Sequence, residues 1–501
     1  MFLPKLSRLE ITALLAIFLL YFILRLPSLT LQPVFIDEAI YIHWSQTIIS
    51  HPQKFLLPLA DGKTPLFMWI TIPFLKIFPN PLFAARLLSV FSGFFTLLGA
   101  LVLGRKFFNR RVGVIAAFLV ALVPYTVFFD RMALVDSMLT AFLIWTLIIG
   151  FYLVKKPRFW TGLILGGILV GAVLVKTPAI LVFLTLPVLL LTLNFSDKKE
   201  RRKAIILAFI WVAFLFCALA FYSVAHLNNK AGAILVRNSD YYFPLSRLYK
   251  IPFDPFFIHL KQFLSWLPSM LTWPVLVIFA ITLLLIFVKK EKNALVILLW
   301  AAIPNIIFIS LIKSFTSRYV LFTIPPILVL TAWGVDILSN QIKVLKTLIL
   351  VIFLLSITFF ALCFDFYLLT NPEKASLPRE SRRGYFEDWT AGYGIWETSK
   401  LIENQSKMSK VTVATNGIFG VFPEGFEIYL ENNPNVSFVT NFKVPSLDLL
   451  QYSKRNRTYF VSNRWSFANG SNLKLVGEYP KAKGPEVVDD ALLVFEVKEG
   501  N

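Results

Sequence analysis

Cysteine is almost absent from this chain. Cys217 and Cys363 are the two cysteines in 501 residues, and both stand inside apolar runs. So low a count excludes a disulfide scaffold and a cysteine-built metal site, and each thiol reads as a small buried hydrophobe. Histidine is scarce too: His43, His51, His226 and His259 show no HExxH-like spacing. Charge is thin, with 16% Asp, Glu, Lys and Arg against 57% hydrophobic residues, and mean hydropathy reaches +0.70. A surface this apolar belongs mostly in lipid. Acidic residues are also outnumbered, 29 to 49, for a net charge of +20. The basic residues fall in short clusters between long apolar runs, which marks cytoplasmic loops and excludes a nucleic-acid face. No repeat of solenoid length and no low-complexity tract is present.

What is abundant is apolar sequence of spanning length. A helix needs roughly 20 apolar residues to cross hydrocarbon, and about eleven stretches approach that rule: 10–28, 83–103, 112–129, 134–154, 160–176, 178–194, 204–224, 267–288, 293–312, 319–339 and 345–369. The 160–176 and 178–194 runs are parted by Lys176-Thr177-Pro178, a break that a membrane tolerates where it reaches a cavity. The first run has basic residues before it but no small-x-small cleavage site after it, so it reads as a retained span. Basic clusters recur on alternate loops: Lys5/Arg8, Arg105/Lys106/Arg110/Arg111, Lys155/Lys156/Arg158, residues 198–203, Lys289/Lys290/Lys292 and Lys343/Lys346. With these inside, the N-terminus is cytoplasmic and the C-terminal segment lies outside.

The expected architecture is an α-helical polytopic membrane domain over 1–370, with outer loops at 29–82 and 225–265. An extracytoplasmic α/β domain follows over 371–501. The first outer loop is too polar to span and carries a short amphipathic helix near 66–78. In the tail, 391–408 reads as a helix. VTVAT (411–415), FEIYL (426–430), VSFVT (436–440), TYFVS (458–462), LKLVG (473–477) and ALLVFEV (491–497) read as strands.

Charges at membrane depth cost about 2.5–3.5 kcal/mol each even on a lenient scale, so they face cavities or partners. Here they share one expected side. Asp37-Glu38 follow the first span, Lys63 sits in DGKTPLFMW, and Arg86 opens the second span, where it reads as a structural partner of Asp130 or Asp136. Asp130-Arg131 and Asp136 follow the third span, Lys176 sits at the break, and Arg318-Tyr319 lie in KSFTSRYVL. Carboxylates beside cations suit a reaction in which one carboxylate takes a proton from an acceptor while cations hold an anionic phosphate leaving group. A polyprenyl tail on that phosphate requires a lipid-accessible groove, which the aromatic-rich 55–83 stretch can help build.

The order of these motifs resembles the GT-C glycosyltransferases. DE with Tyr41 three residues after Glu38 comes first, then K-x-P-L-x-x-W from Lys63 and an Arg opening the second span. Asp136 in D-x-x-L, the Lys176-x-Pro break and Arg318-Tyr319 before a proline-containing span complete it. Within that superfamily the chain is similar to bacterial and archaeal relatives of dolichyl-phosphate-mannose protein mannosyltransferases and of the lipid A aminoarabinose transferase. The resemblance covers about residues 10–340, with DWTAGYGI and GVFPEGFEIYL as further tail features. It implies transfer of a hexose such as mannose, or of an aminosugar, from a polyprenyl-phosphate donor to a protein, lipid or glycan acceptor. Transfer would occur on the extracytoplasmic side, with inversion. It implies Asp37 as catalytic base, with Glu38 beside it and Asp136 as a second aspartate. Lys63, Tyr41 and Tyr319 would sit at the donor phosphate. The family often has an arginine where this chain has Ile40, which leaves Arg247 or Arg318 to supply that contact. Arg86, Asp130, Arg131 and Lys176 are expected to line the site. A divalent metal on Asp37, Glu38 and Asp136 is left open.

Two other classes compete. A transporter or flippase of lipid-linked or anionic substrates predicts charges near mid-membrane and related halves, and a non-catalytic receptor leaves the expensive charges unexplained. A GT-C enzyme using a longer glycan donor is the rival within the enzyme class, although the tail lacks a W-W-D-like motif.

Overall fold

The computed structural model describes residues 7–227, 239–251, 253–341, 346–440, 447–467, 472–487 and 489–498. Lys5, Lys343 and the His226 side chain fall outside the described residues. The helical part runs α1 (Arg8–Arg25), α2 (Ile36–Ser50), α3 (Leu66–Ile77), α4 (Pro81–Phe107), α5 (Arg110–Leu122), α6 (Pro124–Asp130), α7 (Val135–Lys155) and α8 (Phe159–Val175). After a broken helical stretch, Thr177–Thr192, it continues with α9 (Lys198–Leu227), α10 (Phe256–Leu271), α11 (Trp273–Lys289), α12 (Lys292–Leu311), α13 (Ile324–Gln341) and α14 (Lys346–Thr370). Local chemistry sets several starts. Ser7 and Glu10 form a reciprocal capping box on α1, Asn80 accepts the Phe83 N–H ahead of Pro81, and Asn109 accepts the Val112 N–H.

This is a multi-pass, largely α-helical membrane protein, but the expected eleven spans are too many. Among the described residues, five helices are long and apolar enough to cross: Pro81–Phe107, Val135–Lys155, Lys292–Leu311, Ser317–Asn340 and Leu350–Thr370. A sixth arises if α5 and α6, bent by 58°, count as one. The other runs fail for physical reasons. α1 carries Arg8, Glu10 and Arg25 within its 18 residues. α8 and α11 have 17 residues each, which at about 1.5 Å per residue fall short of ~30 Å of hydrocarbon. The 178–194 run breaks into 3-10 and α pieces, while the 204–224 run lies in the 30-residue α9, several of whose side chains from residue 218 on fall outside the described residues. Cys217 and Cys363 are exposed on the helical surface, not buried.

The bend between α5 and α6 is stitched by two buried arginines. Pro124 has no N–H for the Val120 carbonyl. Arg25 fills the gap from α1, donating to Val120 O at 3.1 Å and Ala121 O at 2.8 Å, while Asp130 balances its charge at 2.9 Å. Arg131 returns the contact by donating to the carbonyls of Arg25, Pro27 and Ser28 at the end of α1. Each helix end therefore has its orphan carbonyls satisfied by the other element.

Strand β1 (Val34–Phe35), just before α2, pairs antiparallel with β2 (Ala391–Gly392), far along the chain. The tail then folds as an α/β unit: α15 (Ile395–Ser406), β3 (Val411–Thr415), α16 (Glu424–Leu430), β4 (Val436–Val439), α17 (Leu447–Ser453), β5 (Arg457–Asn463), β6 (Leu473–Pro480) and β7 (Ala491–Val497). The sheet order is β4-β3-β5-β7-β6. FEIYL, expected as a strand, is helical in α16, where Phe426, Ile428 and Leu430 are buried. A five-residue apolar run is ambiguous by pattern alone, and packing between α15 and α2 decides it.

α16 meets α2 through His43, whose ring nitrogens lie 3.1 Å from Glu427 and 3.7 Å from Glu431. Burial pushes the Glu424 carboxyl up to about 7, with Glu427 adding to the rise. Burial lowers the His43 pKa, but Glu431, Glu427 and Glu424 outweigh it and raise it overall. Both folded-state values lie above the unfolded ones, so the stabilisation is complete below the ordinary glutamate pKa and is lost as pH rises through about 7. Protection factors of α16 amides in the full chain, with intrinsic base-catalysed exchange divided out, should therefore be larger at pH 5 than at pH 8, and Glu424→Gln should reduce that difference. Protection factors independent of pH in the wild type would refute the assignment.

Candidate active site

Asp37 and Glu38 occupy the same first turn of α2 yet have different surroundings. Glu38 is fully buried. Its carboxylate accepts from Arg86 Nε at 2.8 Å and Nη2 at 2.7 Å, from the Ala133 N–H at 2.6 Å and from the Phe35 N–H at 2.9 Å. Arg86, on α4, also donates to the carbonyls of Leu29, Gln32 and Pro33. This knot ties α2 to α4 and to the turn before α7.

Asp37 faces a cavity of about 780 Å³ lined also by Tyr41, Lys63, Thr64, Asp136, Lys176, Tyr241, Tyr242, Arg318 and Tyr319. Its Oδ1 accepts from Lys63 Nζ at 3.1 Å and its Oδ2 from Arg318 Nη1 at 2.6 Å. In the same cavity Asp136 Oδ1 accepts from Lys176 Nζ at 2.6 Å. Burial raises the Asp37 pKa, but Lys63 and Arg318 outweigh it and hold the carboxyl well below the usual range. It is ionised throughout the neutral range.

Local backbone explains how these groups arrive. Gly62, at φ 69°, closes the 3-10 turn Leu57–Asp61 in a left-handed conformation that a side chain resists, and sets Lys63 directly after it. Lys63 then lies 5.0 Å from the Tyr41 ring and 5.5 Å from Trp44. Lys176 sits at the extended break after α8 and lies 4.4 Å from the Tyr319 ring. Arg318 belongs to a 3-10 turn anchored by Tyr125 Oη, which donates to Ser317 O at 2.6 Å.

Of the expected residues, Asp37, Tyr41, Lys63, Asp136, Lys176, Arg318 and Tyr319 converge. Glu38, Arg86, Asp130, Arg131 and Arg247 do not line the cavity. Arg86 is structural, but its partner is Glu38 instead of Asp130 or Asp136. Asp130 and Arg131 hold the α1 and α5 ends together, as described above. Arg247 pairs with Asp254 at 2.5 Å and stacks on Phe243, leaving Arg318 as the arginine in the cavity. The three carboxylates left open for a metal each have a cation of their own, and among the described residues no group of three or more His, Cys, Asp or Glu could hold one. Thr64, Tyr241 and Tyr242 were not expected. Thr64 follows Lys63 directly, and among the described residues its buried hydroxyl has no partner. The tyrosines reach the cavity because residues 241–243 pair with 311–313, through Phe243 N–H to Leu311 O and Lys313 N–H to Tyr241 O, each at 2.7 Å. A tyrosine pair in a polar loop was the available signal.

The chain is similar over 98% of its length, and 98% of the other's, to ArnT from Cupriavidus metallidurans bound to undecaprenyl phosphate, with TM-score 0.58 and 13% identity. It is also similar to the Archaeoglobus fulgidus oligosaccharyltransferase in complex with Zn and sulfate, covering 96% of this chain and 72% of that one, with TM-score 0.53 and 12% identity. The fold is that of the GT-C glycosyltransferases. A family model described as dolichyl-phosphate-mannose-protein mannosyltransferase matches residues 62–224. That stretch contains Lys63, Asp136 and Lys176 but neither Asp37 nor Arg318. No protein of curated function matches the chain. The GT-C fold thus brings residues from both inside and outside the matched stretch to one cavity.

Breaking a buried ion pair by removing one partner costs about 3–5 kcal/mol. Arg86→Met should therefore destabilise the detergent-solubilised protein by roughly that amount, and far more than Arg247→Met, whose partner is half exposed. Equal melting temperatures for the two variants would contradict the reading of the Glu38 knot.

Proposed function

We propose that this protein transfers a sugar from a polyprenyl-phosphate donor to an acceptor on the extracytoplasmic side of the membrane. The observation that carries this reading is Asp37, an ionised carboxylate held between Lys63 and Arg318 in a cavity where Lys63, Lys176 and Arg318 face Asp37 and Asp136. The cavity lining holds three cations and two carboxylates, with Asp61 beside Lys63 at 3.6 Å just outside it, and cations converging on one cavity suit an anionic phosphate. At the same place Thr64 adds a hydroxyl that is unpaired among the described residues.

An apolar groove of about 1280 Å³ supports a lipid-linked donor. It is lined by Ile70 and Phe74 of α3, Phe91 and Phe95 of α4, and Met138, Phe142 and Trp145 of α7. α3 and α7 also line the charged cavity, through Met68 and Asp136. A phosphate in the cavity and an isoprenoid tail in the groove would thus be held by neighbouring turns of the same two helices.

In the proposed reaction the donor phosphate engages Lys63, Arg318 and Lys176 and draws cations away from Asp37. The acceptor O–H attacks the anomeric carbon from the face opposite the phosphate, and its proton passes to Asp37. The new C–O bond forms as the old one breaks, and the electron pair leaves on the phosphate oxygen, where the cations stabilise it. Configuration at the anomeric carbon inverts. Asp136, paired with Lys176, holds that cation in place.

The test is sugar transfer by purified protein with polyprenyl-phosphate mannose or aminoarabinose. Asp37→Asn should lower kcat by about 10²–10⁴. Lys63→Ala and Arg318→Ala should each lower kcat/KM by on the order of 10². Near-normal transfer by folded Asp37→Asn would remove Asp37 as the base.

A further inference from the structure

The C-terminal sheet contains a second concavity that the transfer chemistry does not use. β3 runs parallel to both of its neighbours, β4 and β5. The chain passes from β3 through α16 to β4 at the sheet edge, then back through α17 to β5 on the other side of β3. The two crossovers run in opposite directions, so the strand order reverses between β3 and β5. Ligands of open α/β sheets bind in the crevice beyond the carboxyl ends of the strands at such a point. A pocket of about 1130 Å³ lies there, with Asn416 following β3 and Asn463, Trp465 and Ser466 at and after the end of β5, joined by Trp389 and Phe419.

The lining has a definite chemical character. Trp465 is 66% exposed, Trp389 41% and Phe419 40%, so three large aromatic rings border one mostly apolar concavity outside the spanning helices. No lining side chain is charged. The nearby Lys481 is buried and paired with Asp490 at 2.8 Å. It also donates to Asn463 Oδ1 at 2.8 Å, which fixes the amide with its NH2 as the remaining donor, and among the described residues Nδ2 makes no hydrogen bond. Flat apolar faces beside neutral amides and a hydroxyl fit a pyranose, which offers C–H faces to rings and hydroxyls to amides. An anion would find no cation here, and a hydrocarbon would leave the Asn463 NH2 without a partner, whereas the Asn416 amide already donates to Ser462 Oγ at 2.9 Å and Ser466 Oγ at 2.6 Å.

The pocket also adjoins the cavity of Asp37. The Phe419 ring lies 6.2 Å from Trp44 of α2, whose own ring is 5.5 Å from Lys63 Nζ. Gly420, at φ 115°, rests against Ile36 so closely that a Cβ would stand 2.8 Å from its Cδ1. The Ile36 N–H donates to Thr390 O, beside Trp389, at 3.1 Å. The loops forming the pocket wall thus pack on the residue preceding Asp37.

We infer that this switch-point pocket binds a neutral saccharide, the glycan portion of the acceptor. The acceptor role rests on the transferase reading, whereas saccharide binding does not. The experiment titrates the full chain, in a non-glycosidic detergent, with maltotetraose, cellotetraose, chitotetraose and mannotetraose by calorimetry. At least one should bind with Kd on the order of 1 mM. Trp465→Ala and Asn463→Ala should each weaken that binding about tenfold, while Asp37→Asn, which removes transfer, leaves it in place. Binding of none of the four, or binding unchanged by both pocket variants, overturns the saccharide site. With the bound tetrasaccharide as acceptor, Trp465→Ala should raise its KM about tenfold. An unchanged KM overturns the acceptor role with the transferase reading intact. No transfer by the wild type, with binding retained, overturns the acceptor role through the transferase reading alone.

Discussion

The buried Glu38–Arg86 pair is the constraint on which the rest of the molecule turns. Two opposite charges withdrawn from water are tolerated only when every remaining lone pair and proton is satisfied. Here that demand recruits the Phe35 and Ala133 N–H groups and three carbonyls between Leu29 and Pro33. The first turn of α2 is thereby fixed against α4 and the start of α7. Asp37 is one residue away, so its direction into the cavity follows from how tightly Glu38 is held. A loose loop would let Asp37 collapse onto whichever cation came nearest.

The same logic of satisfied backbone recurs at the α5–α6 bend. Lipid offers no hydrogen bonds, so a proline break within a span needs internal donors. Arg25 and Arg131 supply them reciprocally, and Asp130 offsets the charge of Arg25. These charges are expensive and stand near the cavity, which is why they resemble site residues when read by position alone. Their partners identify them as fasteners.

The C-terminal domain is joined to the helical part through short but specific contacts. β1 pairs with β2, α16 packs on α2 through His43, and the loop around Gly420 rests on Ile36. All three contacts fall on α2 or the residues just before it. Whatever moves the sheet domain therefore acts on the helix that carries Asp37.

Sequence by itself determined the membrane class, the α/β character of the tail and seven of the residues that line the cavity. Apolar runs, charge scarcity and motif order are local or additive signals that survive without coordinates. It overcounted spans, because hydropathy does not show where a helix ends: α8 and α11 stop at 17 residues, and the 178–194 run breaks into shorter pieces. It misread FEIYL, because five apolar residues fit either period until α16 finds α2 and α15 to pack against. Tertiary structure alone decided that adjacent Asp37 and Glu38 take opposite roles, that Arg318 and not Arg247 reaches the cavity, and that Tyr241 and Tyr242 join it. The reason is geometric: a charge is defined by its partner, and partners such as Arg318 stand hundreds of residues from Asp37 until the fold brings their atoms within hydrogen-bonding distance.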